Sequence, residues 1–146
     1  MTSSFVRAVL VSLLALTACS DLTGPKAELT DARERWESRR LSQYEYDYQQ
    51  SCFCHYESVR AVRLRVQAGT VTAAWYLEDG SPVPAAKLKF FPTVDQLFET
   101  IESAIDKEAD RLEVDYDRAN GYPTRIDIDY IDQAADDEIL IRAWNL

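Results

Sequence analysis

Hydrophobic residues recur at helical spacing in two segments of the chain and predict two helices. The stronger pattern covers residues 93–106, where the apolar face consists of Val94, Leu97, Phe98, Ile101, Ala104 and Ile105. Thr93 and Gln96 stand three residues apart at its start, which is the spacing of a helical capping box. The weaker pattern covers residues 25–40 and begins at Pro25, a residue type that suits the first position of a helix.

Apolar and polar residues alternate with a period of two in six further segments, which predicts six strands. The segments lie near residues 43–49, 59–66, 71–77, 112–116, 125–130 and 139–144. In the third of them the alternation predicts one shared face, made of Val71, Ala73, Trp75 and Leu77. Residues 78–92 contain three prolines and one glycine and are predicted to form a loop.

The order of these elements is αβββ–αβββ, and it predicts an α+β fold. Short connections between successive strands favour antiparallel pairing. We therefore expect two αβββ halves that build an antiparallel sheet, with the helices packed on one face of it.

The hairpin that turns at Asn120 carries acidic residues on its solvent face. The predicted register places Asp115 opposite Asp127 and Glu113 opposite Asp129, so that like charges face each other. Such pairs destabilise a sheet by up to about 1 kcal/mol each. Two hypotheses follow: a solvated acidic face whose repulsion is screened by salt, or a face that binds a divalent cation or a basic partner.

The composition is that of a folded acidic protein of 146 residues, a length that suits one domain. Hydrophobic residues make up 47% of the chain, which argues against disorder. The formal net charge is −9, so nucleic acid, whose binding requires a basic surface, is not an expected partner. Attachment to anionic lipid through basic residues is disfavoured for the same reason.

Residues 1–18 have the features of an export signal. Arg7 precedes an apolar run at 8–16, which is too short to span a bilayer but suits the hydrophobic region of a signal peptide. The run is followed by Leu-Thr-Ala-Cys, ending at Cys19, which resembles the lipobox of bacterial lipoproteins. The resemblance implies cleavage after Ala18 and lipid chains on Cys19. The alternative is an ordinary cleaved signal with an incidental cysteine.

This interpretation divides the chain into a signal peptide (1–18), a lipidated cysteine with a short tether (19–26) and a single α+β domain (27–146). The expected location is extracytoplasmic, on the periplasmic or cell-surface side of a bacterial membrane. Acyl chains on Cys19 attach the protein to that membrane. Compartments outside the inner membrane are oxidising.

The sequence Ser-Cys-Phe-Cys-His at residues 51–55 is the most distinctive local feature, and three interpretations of it stay open. Cys52 and Cys54 form a local disulfide, which suits an oxidising compartment. Alternatively, both cysteines and His55 bind a soft metal ion such as Cu(I) or Zn(II). The third interpretation is a redox-active cysteine pair. No cofactor is predicted, because the motif lacks a clear fourth metal ligand.

The sequence contains no recognisable catalytic constellation. His55 is its only histidine, and there is no Gly-x-Ser-x-Gly nucleophile motif. Carboxylates are abundant, but their spacing singles out no catalytic pair, so the protein is not expected to be an enzyme. Tyr44, Tyr46 and Tyr48 alternate along the first strand and form either a binding strip or a row that packs beneath a helix.

Several motifs occur in an order that resembles one bacterial lipoprotein family. They are the lipobox, a tryptophan in the first helix, Tyr-x-Tyr-x-Tyr, Ser-Cys-Phe-Cys, Val-Asp-Gln-Leu-Phe in the second helix, Gly-Tyr-Pro at 121–123 and Asp-Asp-Glu at 136–138. The family is catalogued as domain of unknown function 6174, and the resemblance covers essentially the whole mature domain. It implies no activity, cofactor or partner. Where we expect a proline after the second cysteine, this chain has His55, which slightly favours the metal hypothesis.

Together these observations favour a non-enzymatic, membrane-tethered envelope lipoprotein whose domain binds an envelope protein or a small ligand. The first alternative is a metal-binding or redox module that uses Cys52, Cys54 and His55. The second alternative is an inhibitor of an exported enzyme, because the tandem αβββ order is similar to that of small secreted inhibitors.

Overall fold

The computed structural model describes residues 23–53, 55–131 and 138–146. The helical elements are α1 (Pro25–Ser38), the short α2 (Tyr56–Val59), a 3-10 helix (Ala85–Phe90) and α3 (Val94–Asp106). The strands are β1 (Gln43–Ser51), β2 (Val62–Gln67), β3 (Thr70–Tyr76), β4 (Arg111–Tyr116), β5 (Pro123–Asp129) and β6 (Ile139–Trp144). These strands form one antiparallel sheet in the order β3-β2-β1-β6-β5-β4.

Helices α1 and α3 pack side by side on one face of this sheet. Trp36 of α1 contacts Tyr44 of β1 edge to face, with ring centroids 5.1 Å apart. Phe98 of α3 stacks on Tyr116 of β4, with centroids 6.4 Å apart. The two helices are joined where the Trp36 indole N–H donates a hydrogen bond to Asp95 over 2.9 Å. The predicted α+β fold with its helices on one sheet face is confirmed. None of the described helices has both the length and the apolar character needed to cross a bilayer.

The first turn of α3 contains the capping box that the sequence predicts. The Thr93 hydroxyl accepts a hydrogen bond from the Gln96 backbone N–H (3.3 Å), and the Gln96 side chain accepts one from the Thr93 N–H (2.9 Å). The phenol of Tyr44 accepts the Val94 N–H over 3.0 Å. Burial raises the pKa of Tyr44 to about 12, so this phenol is neutral at physiological pH. Three N–H groups at the helix start, those of Thr93, Val94 and Gln96, are thus satisfied by the helix's own cap and by β1.

The loop between β4 and β5 rests directly on α1. Its Gly121 has a φ of +84°, and a Cβ at this position would lie 2.2 Å from the Ala32 carbonyl oxygen and 2.9 Å from the Trp36 nitrogen. Only glycine provides both this backbone conformation and this close approach. The next residue, Tyr122, is buried. The Gly-Tyr-Pro motif is therefore a packing element that fixes the hairpin against the first helix.

The two αβββ halves occupy different positions in the sheet. β1, the first strand of the first half, lies at the centre, whereas β4, the first strand of the second half, lies at an edge. The halves meet where β1 pairs with β6, with Tyr48 opposite Ala143 and Gln50 opposite Ile141. The centre of the domain therefore depends on contacts between the two ends of the described chain.

The predicted face of the third strand is wrong. The register shifts between Arg65 and Val66, because Arg65 pairs with Ala73 whereas Val66 pairs with Val71. This extra residue in β3 is a β-bulge, which moves the residues after it to the other face. The residues of β3 that reach the core are consequently Val71, Ala74 and Tyr76.

Three further features differ from the sequence prediction. Residues 59–61 were assigned to the second strand, but β2 begins at Val62 and the short helix α2 ends at Val59. The predicted loop at 78–92 contains the 3-10 helix. In the first half, α1 begins at Pro25, so the last two residues of the predicted tether are helical.

The predicted register of the β4–β5 hairpin is wrong by two residues. Asp115 lies opposite Arg125, and Arg111 lies opposite Asp129, so these pairs are attractive. Only Glu113 faces another carboxylate, that of Asp127, and Arg125 binds both of these side chains. The alternation of apolar and polar residues does not distinguish the two registers, because a shift of two residues keeps every side chain on the same face. The two predicted like-charge pairs, Asp115 with Asp127 and Glu113 with Asp129, are therefore absent.

The sheet face away from the helices, called the open face here, carries a buried ion pair. Asp47 of β1 is 1% exposed, and Arg63 of β2 donates to its two carboxylate oxygens over 2.8 and 3.0 Å. Asn145 adds a third hydrogen bond of 2.7 Å. Burial acts to raise the pKa of Asp47, but the hydrogen bonds from Arg63 and Asn145 outweigh it and hold the pKa below its usual value of 3.8. Asp47 is therefore ionised at neutral pH.

Candidate functional site

The described residues of the Ser-Cys-Phe-Cys-His segment lie at the end of β1 and at the start of α2. Cys52 follows the last residue of β1, and its Sγ accepts a hydrogen bond from the Gln50 side-chain amide over 3.4 Å. His55 is exposed and occupies the N-cap position of α2. Cys54 lies outside the described residues, as does the predicted lipidation site Cys19. The disulfide, metal and redox interpretations of this segment therefore stay predictions.

No group of three or more metal-ligating side chains occurs within residues 23–53, 55–131 and 138–146. Cys54, one of the three proposed ligands, lies outside these ranges, so the metal interpretation and its alternatives all stay open.

A groove of about 430 Å³, called the inner groove here, lies beside the end of β1 on the helix-bearing side of the sheet. It is lined by residues of β1, α2, β3 and the 3-10 helix: Tyr48, Gln50, Ser58, Tyr76, Lys87, Phe90 and Phe91. Aromatic rings dominate this lining, and the polar groups are an amide, a hydroxyl and an ammonium. A concave apolar surface with a few polar groups is typical of a binding site.

Strand register explains why the two tyrosines of the inner groove face the same space. Tyr48 and Tyr76 both lie opposite Val62, one from each side of β2. Residues directly opposite in antiparallel strands point to the same face, so both rings stand on the helix side, two strand spacings or about 10 Å apart. Phe91 closes one wall, with its ring centroid 6.3 Å from that of Tyr48.

The inner groove exists because the helices cover the sheet unequally. Helix α3 packs over β4 and β5, whereas the short 3-10 helix packs on β3. The 3-10 helix has no buried residue of its own. It therefore leaves a gap beside β1 and β3 that a longer amphipathic helix would fill.

Hydrogen bonds and charges fix the rings of the inner groove. The Tyr48 phenol donates to the Gln50 side-chain oxygen over 2.9 Å, and burial raises the pKa of this phenol well above its ordinary value. The Arg60 guanidinium lies over the Tyr76 ring, 3.7 Å from its centroid. Arg60 is also paired with Glu78 and Asp79, each over 3.3 Å. The walls are therefore rigid, and Tyr48 acts as a hydrogen-bond donor and not as a base.

Three large side chains near the end of β1 are exposed to solvent. Phe53 is 87% exposed, Phe90 is 73% exposed and Tyr56 is 64% exposed. Phe90 forms part of the lining of the inner groove, and Tyr56 belongs to α2, which also lines it. Apolar side chains clustered around a concave surface mark sites that bind a partner.

A second groove of about 440 Å³, called the outer groove here, also lies beside the end of β1. Its lining is more charged and consists of Ser51, Cys52, Phe53, Arg111, Asp127, Glu138, Ile139 and Leu140. Arg111 is paired with Asp127 over 3.2 Å and with Glu138 over 3.9 Å. The end of β1 thus borders an aromatic groove and a charged one.

The tyrosine strip of β1 has two roles instead of one. Tyr44 and Tyr46 are core residues, because both bind the start of α3 and Tyr46 is fully buried. Tyr48 also borders the inner groove. The packing interpretation is therefore correct for most of the strip.

Sequence reasoning missed the residues that the inner groove takes from the predicted loop. Phe90 and Phe91 are adjacent aromatic residues in a segment that also contains Lys87 and Lys89. A pair of large aromatics in a lysine-containing loop is the signal that would have identified them, because loops seldom bury such residues without a partner.

No curated protein and no solved structure matches this chain significantly. Residues 28–146 match the model of a family of unknown function, DUF6174, and this range contains α3, all six strands and both grooves. The chain belongs to the DUF6174 family.

Proposed function

We propose that this protein is a lipid-anchored bacterial envelope protein that binds a partner protein through the inner groove and has no enzymatic activity. The observation that carries the proposal is the aromatic inner groove with exposed Phe90 and Tyr56 beside it. An apolar side chain of the partner enters the groove, while Gln50, Ser58 and Lys87 provide polar contacts around it.

The chemistry of the inner groove supports binding rather than catalysis. Its tyrosines, Tyr48 and Tyr76, are buried, and the raised pKa of Tyr48 keeps that phenol protonated. Ser58 would require a neighbouring base to become a nucleophile, and no His, Asp or Glu is among the described residues that line the groove.

The position of the inner groove supports a partner that approaches from the side away from the anchor. Helix α1, the first described element, passes β4: burial, with a smaller effect of the nearby Glu28 carboxylate, raises the pKa of Tyr116 to about 12. The inner groove includes Tyr76 of β3, at the opposite edge of the sheet. Five strand spacings separate these edges, which is about 24 Å. The groove is therefore accessible while Cys19 holds the chain at a membrane.

A photoreactive phenylalanine analogue in place of Phe90 is expected to crosslink the protein to one partner in intact cells. Phe90 is 73% exposed, so the substitution leaves the core unchanged. The matched control carries the analogue in place of Leu41, an exposed apolar residue just before the start of β1. The inner groove lies near the other end of this strand. Crosslinked products are separated by size and identified by mass spectrometry.

A second arm places the analogue at Tyr56 and adds Phe90→Asp, which is expected to reduce the yield of the same adduct at least about tenfold. Equal adducts from the Phe90 and Leu41 positions, or no adduct from either groove position, would contradict the proposal. If the captured partner is an exported enzyme whose activity falls when this protein binds it, the result supports the alternative that the protein is an inhibitor.

Cys19→Ser is expected to move the protein from the membrane fraction to the soluble fraction. The reason is that lipid chains on this thiol supply the membrane affinity, at about 0.8 kcal/mol for each buried CH₂ group. Cys52→Ser, which makes the same chemical change inside the domain, serves as the control and is expected to stay with the membrane. Fractionation followed by intact-protein mass measurement checks both variants. Retention of Cys19→Ser in the membrane fraction would refute the lipid anchor.

We also propose that Cys52 and Cys54 form a local disulfide in the oxidising envelope. The lipidated protein purified without reductant is then expected to show no free thiol, and two thiols after reduction. Elemental analysis of the same sample separates this outcome from the alternative site with Cys52, Cys54 and His55, since only the latter contains copper or zinc. Two free thiols without metal in the unreduced protein would contradict the disulfide.

A further inference from the structure

We propose that the outer edge of β4 binds an extended peptide segment with alternating basic and apolar residues, which adds a seventh strand to the sheet. This site is separate from the inner groove, which lies toward the other edge. Either proposal can therefore be refuted without affecting the other.

The backbone of β4 offers unpaired hydrogen-bonding groups along its outer side. β4 is the last strand of the sheet, and among the described residues it pairs only with β5. In an antiparallel sheet, alternate residues of an edge strand direct their N–H and C=O groups away from the neighbouring strand. The six residues of β4 span about 20 Å and contain no proline or glycine that would interrupt pairing.

The opposite edge of the sheet is partly closed, which makes the open edge of β4 distinctive. Trp75 of β3 forms an antiparallel bridge with Pro82, so the chain after β3 folds back along that edge. Proteins commonly protect edge strands in this way, because unpaired edges template further pairing. No such bridge to β4 is present among the described residues.

The inward side chains of β4 provide an incompletely covered apolar surface. Leu112 and Val114 are half-buried, whereas the residues opposite them on β5, Ile128 and Ile126, are almost fully buried. Helix α3 thus covers β5 better than β4. Apolar residues on one side of an added strand would cover the remaining surface of Leu112 and Val114.

The outward side chains of β4 and β5 carry an excess of negative charge. This part of the open face contains four carboxylates and two guanidinium groups: Glu113, Asp115, Asp127, Asp129, Arg111 and Arg125. Asp115 forms no ion pair with any described residue, and both it and Glu113 are exposed. Basic residues on the second side of an added strand would lie next to these carboxylates, and opposite charges across strands stabilise a sheet.

The same charges disfavour a second copy of this chain as the occupant. Antiparallel pairing of two β4 strands centred on Val114 would bring Glu113 of each copy opposite Asp115 of the other, and pairing centred on Glu113 would bring the two Glu113 side chains together. Like charges across strands destabilise such pairing. The edge therefore selects against self-association and favours a basic segment of a different protein.

The test uses a short synthetic peptide of alternating lysine and valine, with the full mature protein and physiological salt. Titration calorimetry measures its affinity, and hydrogen exchange followed by NMR shows which amides it protects. We expect protection of those β4 amides that point away from β5. A peptide with glutamate in place of lysine is expected to bind about tenfold more weakly, and N-methylation of the lysine peptide along its pairing edge is expected to abolish binding.

The matched protein variants reverse two charges each. Glu113→Lys combined with Asp115→Lys is expected to weaken the lysine peptide about tenfold and to strengthen the glutamate peptide. Glu34→Lys combined with Glu37→Lys makes the same change in net charge at exposed positions of α1 and is expected to leave the preference for lysine intact. If loss of the Glu113–Arg125 contact prevents folding, Asp115→Lys alone serves in its place.

The proposal would be overturned by equal weakening by both pairs of substitutions, by binding that N-methylation does not reduce, or by peptide-induced protection confined to amides outside β4. Dimerisation of the unmodified protein through β4 would overturn it as well, because the edge would then be occupied by a second copy.

Discussion

Gly121→Ala is expected to destabilise the domain by about 3–5 kcal/mol, the combined cost of backbone strain and overpacking. The new Cβ would lie 2.2 Å from the Ala32 carbonyl oxygen and 2.9 Å from both the Arg35 Cβ and the Trp36 nitrogen. Two of these neighbours are backbone atoms of α1, so relief requires the helix or the hairpin to move. The φ of +84° adds strain for any residue with a side chain. Chemical denaturation of the isolated variant and the parent protein measures the loss.

Gly80→Ala separates the steric contribution from the conformational one. Gly80 has a similar φ of +70°, but a Cβ there would meet nothing within 4 Å. The expected loss is therefore only about 1–2 kcal/mol, which is the cost of the left-handed backbone alone. Equal losses at Gly121 and Gly80 would show that contact with α1 contributes nothing to the requirement for glycine.

Arg63→Met is expected to destabilise the protein by about 2–3 kcal/mol at neutral pH, because it leaves the buried Asp47 carboxylate with one partner, Asn145. Removing one member of a fully buried pair costs about 3–5 kcal/mol. The value here is lower because the Arg63 side chain is 46% exposed, so water reaches the vacated position. Arg65→Met is the matched control on the same strand and face. Its partner Glu45 is 42% exposed, and a loss of at most about 1 kcal/mol is expected.

The effect of Arg63→Met is expected to diminish in acid. The pKa of Asp47 is lowered in the folded protein, so the ion pair contributes its full stability above the unfolded value of 3.8 and loses it as the pH falls through the folded pKa. In the variant, burial without Arg63 raises the pKa of Asp47, and protonation relieves the unpaired charge. Urea denaturation between neutral pH and about pH 3 should therefore show the two stability curves converging. A difference that stays constant with pH would mean that Asp47 is not the group responsible.

Local signals in the sequence were sufficient to predict the two long helices, the six strands and the fold class. The capping box at Thr93 and the apolar face that follows it define α3 without reference to any other part of the chain. Six alternating segments between and after two helices leave few arrangements other than an antiparallel sheet covered on one face. Those predictions are confirmed because each depends on neighbours within about one helical turn or one strand.

The register of the strands was harder to predict, because a single extra residue in one strand changes which residues face each other. The bulge in β3 places Ala74 in the core, where the sequence analysis predicted Ala73. Both residues are alanine, so the residue types do not distinguish the two arrangements. In the β4–β5 hairpin, the observed register places Asp115 opposite Arg125 and not, as predicted, opposite Asp127. Such bulges are favoured by contacts with distant elements, as in the packing of the β4–β5 loop on α1.

The candidate site was predicted only in part. Residues 51–55 were identified as the distinctive segment, and three of them, Ser51, Cys52 and Phe53, line the outer groove. The inner groove itself combines side chains from β1, α2, β3 and the 3-10 helix, which are up to about forty residues apart in the chain. Its cavity exists because the 3-10 helix is too short to cover β1 and β3, a property of tertiary packing that no local pattern contains.

The central pairing of β1 with β6 makes completion of the sheet depend on residues that are far apart in the chain. β1 ends at Ser51 and β6 begins at Ile139, yet β6 lies between β1 and β5. Until β6 has emerged from the ribosome, the two halves lack the strand that joins them, and β1 and β5 both have unpaired edges. Contacts between such distant residues also form slowly, because a long chain segment must close before they can be made.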